Sequence, residues 1–214
     1  MPSNGRSQEE KWKKDFGMAY TDRNILGNRE LDALYRKNYG ISRTELNQRF
    51  LADVPKNARI LEVGCNVGNQ LFLLREMGFK NLYGLELQEY ALGYARTRLP
   101  DAGLVKGSAY SLPFKDESLD LVFTSGVLIH LPPDAIVDAM REILRCSRSF
   151  VWGFEYYADT HAEVSYRGER ELLWKAPFAR MYAQAVQGLR LVDELELKYL
   201  EGGNVDSMFL LRRN

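Results

Sequence analysis

The stretch Arg59–Leu87, RILEVGCNVGNQLFLLREMGFKNLYGLEL, restricts what this chain can become more than any other. It opens with Ile60-Leu61-Glu62-Val63, an apolar run short and aliphatic enough for a buried strand. The run stops at Gly64-Cys65-Asn66-Val67-Gly68, after which Leu71, Leu74 and Met77 recur on one helical face. A second apolar run, Leu82-Tyr83-Gly84-Leu85, ends at Glu86 and Leu87. Strand, glycine turn, helix, strand and acid in that order make the nucleoside-binding half of a doubly wound α/β sheet.

The residue types indicate the ligand. Gly64 and Gly68 lack a Cβ, so the chain can turn tightly and its backbone can approach a bound molecule. The helix that follows presents free N–H groups at its N-terminus. Glu86, at the end of the second strand, can accept hydrogen bonds from both hydroxyls of a ribose. A dinucleotide fingerprint would read G-x-G-x-x-G, whereas Glu62-x-Gly64-x-x-x-Gly68 is E-x-G-x-x-x-G. An acid two residues before the first glycine would repel a pyrophosphate and suits a ligand with an amino-acid end. The turn Glu62, Gly64, Cys65, Asn66, Gly68 with Glu86 and Leu87 therefore points to S-adenosylmethionine rather than NAD, and a dehydrogenase on the same sheet lacks its glycine spacing.

The chain has 214 residues, 45% of them apolar, enough for one ordinary domain with a core of its own. Lysine plus arginine equals aspartate plus glutamate at 29 each. A balanced charge argues against nonspecific nucleic-acid or anionic-membrane binding, although a local basic patch is compatible with it. Cys65 and Cys146 are far apart and match no metal spacing, so no metal is expected and the chain reads as reduced. No apolar run reaches the ~18 residues of a membrane span, and the first residues lack a signal-peptide core, which makes cytoplasm the default expectation.

Residues 1–10 are polar and read as disordered. In Lys11–Asn24, Trp12, Phe16 and Tyr20 recur every four residues on one face of an expected helix, with Thr21-Asp22-Arg23-Asn24 at its end. That helix either packs its aromatics on the sheet or serves as a lid whose Tyr20, Arg23 and Asn24 close over the cofactor, and the two are compatible. Two further helices are expected before Pro55, broken at Gly40, so residues 1–54 read as a helical segment preceding one globular α/β unit over 55–214. A helix follows from Glu89 to Leu99. A third strand at Leu104-Val105 ends in Gly107-Ser108-Ala109, which should border the adenine because ligands bind outside the carboxyl ends of the strands.

The fourth strand, Leu119–Phe123, ends near Ser125-Gly126 and His130, close to the reactive end of a bound cofactor. His130 could take a proton from an acceptor, or bond a backbone carbonyl and position its loop. Strand five, Phe150–Phe154, ends in Glu155-Tyr156-Tyr157, expected to face the same crevice. The loop Ala158–Arg170 carries Tyr166 and Arg167, which could hold an anionic or polyhydroxylated acceptor or be a solvated surface. Glu169–Val186 reads as helical, and Leu189–Tyr199 with Val205–Leu211 as an antiparallel hairpin completing a seven-stranded, mostly parallel sheet.

Glu62-Val63-Gly64 through Glu86, with Gly107-Ser108-Ala109 and Val127-Leu128-Ile129-His130, resembles the class I S-adenosylmethionine-dependent methyltransferases over roughly residues 55–155. Phe16-Gly17, Tyr20-Thr21-Asp22-Arg23-Asn24, Ser125-Gly126, Arg145-Cys146-Ser147, Glu155-Tyr156-Tyr157 and Tyr166-Arg167-Gly168 resemble more narrowly the pseudaminic-acid-biosynthesis-associated methylases, over nearly the whole chain. That family also has asparagine where Asn66 stands, whereas Ser108 replaces the aspartate most class I enzymes place near the adenine. The resemblance implies a Rossmann-like fold and in-line methyl transfer to a small molecule, a nonulosonic sugar or related metabolite. S-adenosyl-L-homocysteine is then the product, made by a monomer or homodimer. The implied site has Tyr20, Arg23, Asn24, Glu62, Gly64, Cys65, Asn66, Gly68, Glu86, Leu87, Gly107, Ser108, Ala109, Ser125 and Gly126 around the cofactor. Tyr156, Tyr157, Tyr166 and Arg167 would meet the substrate, and His130 or Glu155 would act as base where the acceptor needs one. A methyltransferase acting on protein or tRNA, and a non-catalytic cofactor-binding subunit, are the rival readings.

Overall fold

The computed structural model describes residues 4–185 and 188–213. Seven strands form one sheet: β1 (Arg59–Val63), β2 (Asn81–Glu86), β3 (Gly103–Lys106), β4 (Leu119–Ser125), β5 (Ser147–Tyr156), and the last two, β8 (Leu189–Lys198) and β9 (Val205–Arg213). A separate two-stranded ribbon, β6 (Ala162–Glu163) with β7 (Trp174–Lys175), lies between them in the chain. The large sheet runs β3-β2-β1-β4-β5-β9-β8. Its first five strands are parallel, and the closing hairpin pairs antiparallel to β5 and to itself. The chain order reverses between β1 and β4, which opens a crevice at their carboxyl ends.

Strand alternation divides the core in two. Leu61, Val63 and Val122 face one side with α7 (Ile136–Cys146) and α8 (Phe178–Ala185), while Ile60, Leu121 and Phe123 face the other with α4 (Arg43–Phe50), α5 (Asn69–Glu76) and α6 (Glu89–Arg98). Both faces are buried, so these strands read as continuous aliphatic runs.

The N-terminal segment departs from expectation. Residues 4–10 are helical, part of α1 (Asn4–Trp12); residues 1–3 lie outside the described residues. The single helix expected over Lys11–Asn24 is broken at Lys13-Lys14, and α2 (Asp15–Arg23) follows. The aromatics still meet: the Trp12 ring lies 5.1 Å from Phe16 and 5.3 Å from Tyr20. The next helix, α3 (Asn28–Tyr39), ends at Gly40, whose φ of 78° is the left-handed stop that the glycine suggested.

A second correction concerns Glu169–Val186. Only Phe178–Ala185 is helical there, and Val186 lies outside the described residues. Pro177 disfavours helix at the residue before it, and Leu172 and Leu173 are instead buried in irregular chain that leads to Trp174 of β7.

Candidate active site

The turn after β1 is built from left-handed residues. Gly64, Asn66 and Gly68 have φ of 74°, 48° and 76°. Asparagine is among the few side chains that visit this region readily, which explains how it stands amid the glycines. The Gly64 and Cys65 N–H groups donate to the Leu85 carbonyl at 2.7 and 3.0 Å, tying the turn to β2. A Cβ on Gly64 would lie 2.6 Å from Val127 Cγ2, and one on Gly68 2.7 Å from Leu99 Cδ1. Gly68 therefore lets the start of α5 pack against the end of α6 and does not reach the cavity wall.

Glu86 is buried, its Oε2 accepting from the Asn66 N–H and its Oε1 from the Gln88 N–H, both at 2.9 Å. Burial raises its pKa and these N–H groups pull it back down. Glu62, 3% exposed, has no partner at Oε2. Burial pushes its carboxyl well above the usual range, against the pull of the Arg43 guanidinium and with a further push from Glu86. Asn66 Oδ1 and Gln88 Oε1 are likewise buried and unpartnered. All four residues line one cavity of about 360 Å³ across the carboxyl ends of the central strands.

Unpartnered acceptors call for a ligand rich in donors, such as ribose hydroxyls and an α-ammonium group, and suit no pyrophosphate. That is the chemistry of S-adenosylmethionine. Cys65, Leu87, Gly107, Ala109, Ser125 and Gly126 share the wall with them. Burial drives the Cys65 thiol well up, which leaves it an inert lining group.

Ser108 is a correction. It is off the wall, its hydroxyl paired with the Glu9 carboxylate and accepting from the Tyr110 N–H at 3.1 Å. Gln8, Glu9 and Trp12 of α1 occupy this border instead. Tyr20 of α2 and Asn24 at the helix end both reach the wall, and the Asn24 carbonyl accepts from Asn69 Nδ2 at 2.6 Å. Arg23 stays outside.

On the far side, His130 lines the cavity with its ring 4.5 Å from Trp12. Its Nδ1 lies 2.7 Å from the Leu172 carbonyl, which can only accept, so Nδ1 carries the proton and Nε2 a lone pair. Burial lowers its pKa to about 4. Glu155 does not reach the wall: its carboxylate accepts from the N–H groups of Val127 at 3.0 Å and Ile129 at 3.4 Å. Burial raises it to about 7. Enclosed by donors, Glu155 has no access to an acceptor molecule and positions the loop after β4. Tyr156 and Tyr166 face the cavity, while Tyr157 turns away to Asp159 at 2.9 Å and Arg167 sits off the wall.

Sequence reasoning missed the groups that α3 and β9 contribute. Tyr35, Asn38 and Tyr39 line the cavity from α3, facing Tyr199 and Asp206. Arg43, fully buried, donates from Nη1 to the Tyr35 hydroxyl at 2.7 Å and to Ser125 Oγ at 3.3 Å. An aspartate interrupting the apolar run of β9 was the available signal. Among the described residues there is no His, Cys, Asp and Glu cluster that could hold a metal, and no helix long and apolar enough to cross a membrane.

Residues 61–149 match the family model of the methyltransferase domain. A probable S-adenosylmethionine-dependent methyltransferase of Mycolicibacterium smegmatis is 24% identical over 80% of this chain and 63% of its own length. The chain spans less than two thirds of the length of the curated relatives it matches first. Among solved structures, the fold is similar to the 1,6-didemethyltoxoflavin-N1-methyltransferase of Burkholderia thailandensis, with bound 1,6-didemethyltoxoflavin and S-adenosylhomocysteine. That similarity has a TM-score of 0.75 at 16% identity, over 98% of this chain and 90% of that one. The magnesium protoporphyrin IX methyltransferase of Synechocystis, with bound S-adenosylmethionine, gives 0.72 at 13% identity over 100% and 99%. The matched segment, residues 61–149, is similar to the methyltransferase domain and holds the turn after β1 and Glu86 within the fold that these solved structures share.

Proposed function

We propose that the protein transfers the methyl group of S-adenosylmethionine to a small-molecule acceptor, a nonulosonic (pseudaminic-type) sugar or related metabolite, in the cytoplasm. The observation that carries this is the set of buried, unpartnered acceptors Glu62 Oε2, Asn66 Oδ1 and Gln88 Oε1 around Glu86 at the sheet's switch point. Glu86 holds the ribose hydroxyls. The Glu62–Gly68 turn holds the amino-acid end, with Arg43 behind Ser125 balancing its charge. Gly107, Ala109 and α1 border the adenine. Trp12 and Tyr20, packed over His130, close the crevice as a lid and exclude water.

The cofactor supplies a methyl group already activated by a positive sulfur, so the protein's task is alignment. His130, neutral at pH 7 with its Nδ1 proton held by Leu172, fixes the loop and offers Nε2 as an acceptor for a substrate hydrogen. The narrower resemblance supports the sugar-type acceptor, and Tyr156 and Tyr166 give its ring two aromatic faces.

The test is transfer of labelled methyl groups into fractionated bacterial extract, with Glu86→Ala as the blank. Losing hydrogen bonds to a charged group costs about 1.5–3 kcal/mol, so Glu86→Ala should bind S-adenosylhomocysteine about tenfold or more weakly by calorimetry. Label in the small-molecule fraction supports the reading; label in protein or RNA refutes it.

A further inference from the structure

Beyond the cofactor end, the cavity continues between α3 and the β5–β9 pair. Its walls there are Tyr35, Tyr39, Phe154, Tyr156, Tyr199 and Asp206. The Tyr39 ring lies 4.7 Å from Tyr199 and 6.1 Å from Phe154, and Tyr35 lies 5.4 Å from Phe154. Asp206, opposite Tyr156 in the β5–β9 register, is 0% exposed. Its Oδ2 accepts from the Tyr39 hydroxyl, but its Oδ1 has no partner.

A buried carboxylate oxygen without a donor is a costly group unless a ligand supplies one. Neither cation near this lobe, Arg43 or Lys175, lines its wall, although Arg43 Nη2 is without a partner. Arg43 is engaged by Asn47, Tyr35 and Ser125 behind the Phe154 ring, and Lys175 donates to Asn204 Oδ1 at 2.6 Å.

We propose that this lobe is the acceptor subsite, with Asp206 Oδ1 accepting a hydrogen bond from a hydroxyl or amino group on a compact ring held between the tyrosines. The proposal rests on the methyl-transfer reading and deepens it by naming the acceptor's chemistry. The acceptor presents a neutral or cationic donor here, and any carboxylate or phosphate it carries points elsewhere.

The experiment saturates the protein with S-adenosylhomocysteine and titrates three probes of one ring shape by ligand-observed NMR: cyclohexanol, cyclohexylammonium and cyclohexanecarboxylate. The hydroxyl and ammonium probes should bind, and the carboxylate should bind about tenfold more weakly or not at all. Asp206→Asn, which keeps the shape and an acceptor but removes the charge, should weaken the ammonium probe about tenfold while S-adenosylhomocysteine binding by calorimetry stays within about twofold. Equal binding of all three probes, no binding of either donor probe, or ammonium binding unchanged in Asp206→Asn overturns the assignment. The ranking on the unaltered protein decides even where a variant fails to fold. A parent protein that binds no S-adenosylhomocysteine sinks the methyl-transfer reading instead, while the probes still report on the pocket.

Discussion

Gly64→Ala tests whether the turn after β1 is held by the contact that the structure draws. The substitution meets two costs. At φ 74° an L side chain is forced into the left-handed region, roughly 1–2 kcal/mol. The new methyl would also lie 2.6 Å from Val127 Cγ2, an overpacking cost of about 1–3 kcal/mol. Together they destabilise by about 2–5 kcal/mol, or about 4–20 °C in melting temperature at this chain length. Val127→Ala removes only the second cost, since the Val127 N–H remains held by Glu155 whatever its side chain. Denaturant unfolding of the parent, both single variants and the double variant should therefore give a coupling of about 1–3 kcal/mol. The left-handed cost stays, so the double variant should still bind S-adenosylhomocysteine more weakly than Val127→Ala alone. A coupling below about 0.5 kcal/mol would refute the packing of Gly64 beneath Val127.

Two further outcomes follow from buried titratable groups. His130, lowered from 6.5 to about 4, stays neutral in the folded protein where the unfolded chain takes up a proton, so its contribution to stability falls as pH drops from about 6.5 to 4. That is about 3 kcal/mol, read as the narrowing of the stability gap between parent and His130→Gln over that range; a constant gap would contradict it. Glu62 is raised well above the carboxylate range, and a cationic ligand end beside it favours the ionised form, so cofactor binding should release protons and tighten as pH rises, by at most about tenfold per pH unit for one proton. Calorimetry in phosphate and in Tris at one pH should give different enthalpies, and identical ones would exclude the coupling.

What could be read from the sequence was local. Glu62, Gly64 and Glu86 fall within one strand-turn-helix-strand unit, where strand period and glycine spacing alone place them at the same edge. The seven strands were legible for the same reason. Tyr39 and Arg43, neighbours at the junction of α3 and α4, are distant in sequence from Asp206, and only the packing of α3 against β5 and β9 brings them together. Residues 1–10 read as disordered because they are polar, yet Gln8 and Glu9 turn that polarity inward, to the Glu171 carbonyl and to Ser108.

The misplacement of Glu155 has a physical reason that also explains its role. Consecutive strand residues point to opposite faces, so Glu155, Tyr156 and Tyr157 could not all line one crevice; Tyr156 does, in step with Phe154 two residues earlier. The cross-strand partner of Tyr156 is Asp206, which must share its face, so the register of β9 puts a carboxylate on the cavity wall where β5 cannot. Glu155, turned away, accepts the Val127 and Ile129 N–H groups of the loop after β4. Val127 in turn packs where Gly64 leaves no Cβ. One buried carboxylate thus couples the end of β5 to the turn after β1, and the carboxylate left to meet an acceptor is Asp206.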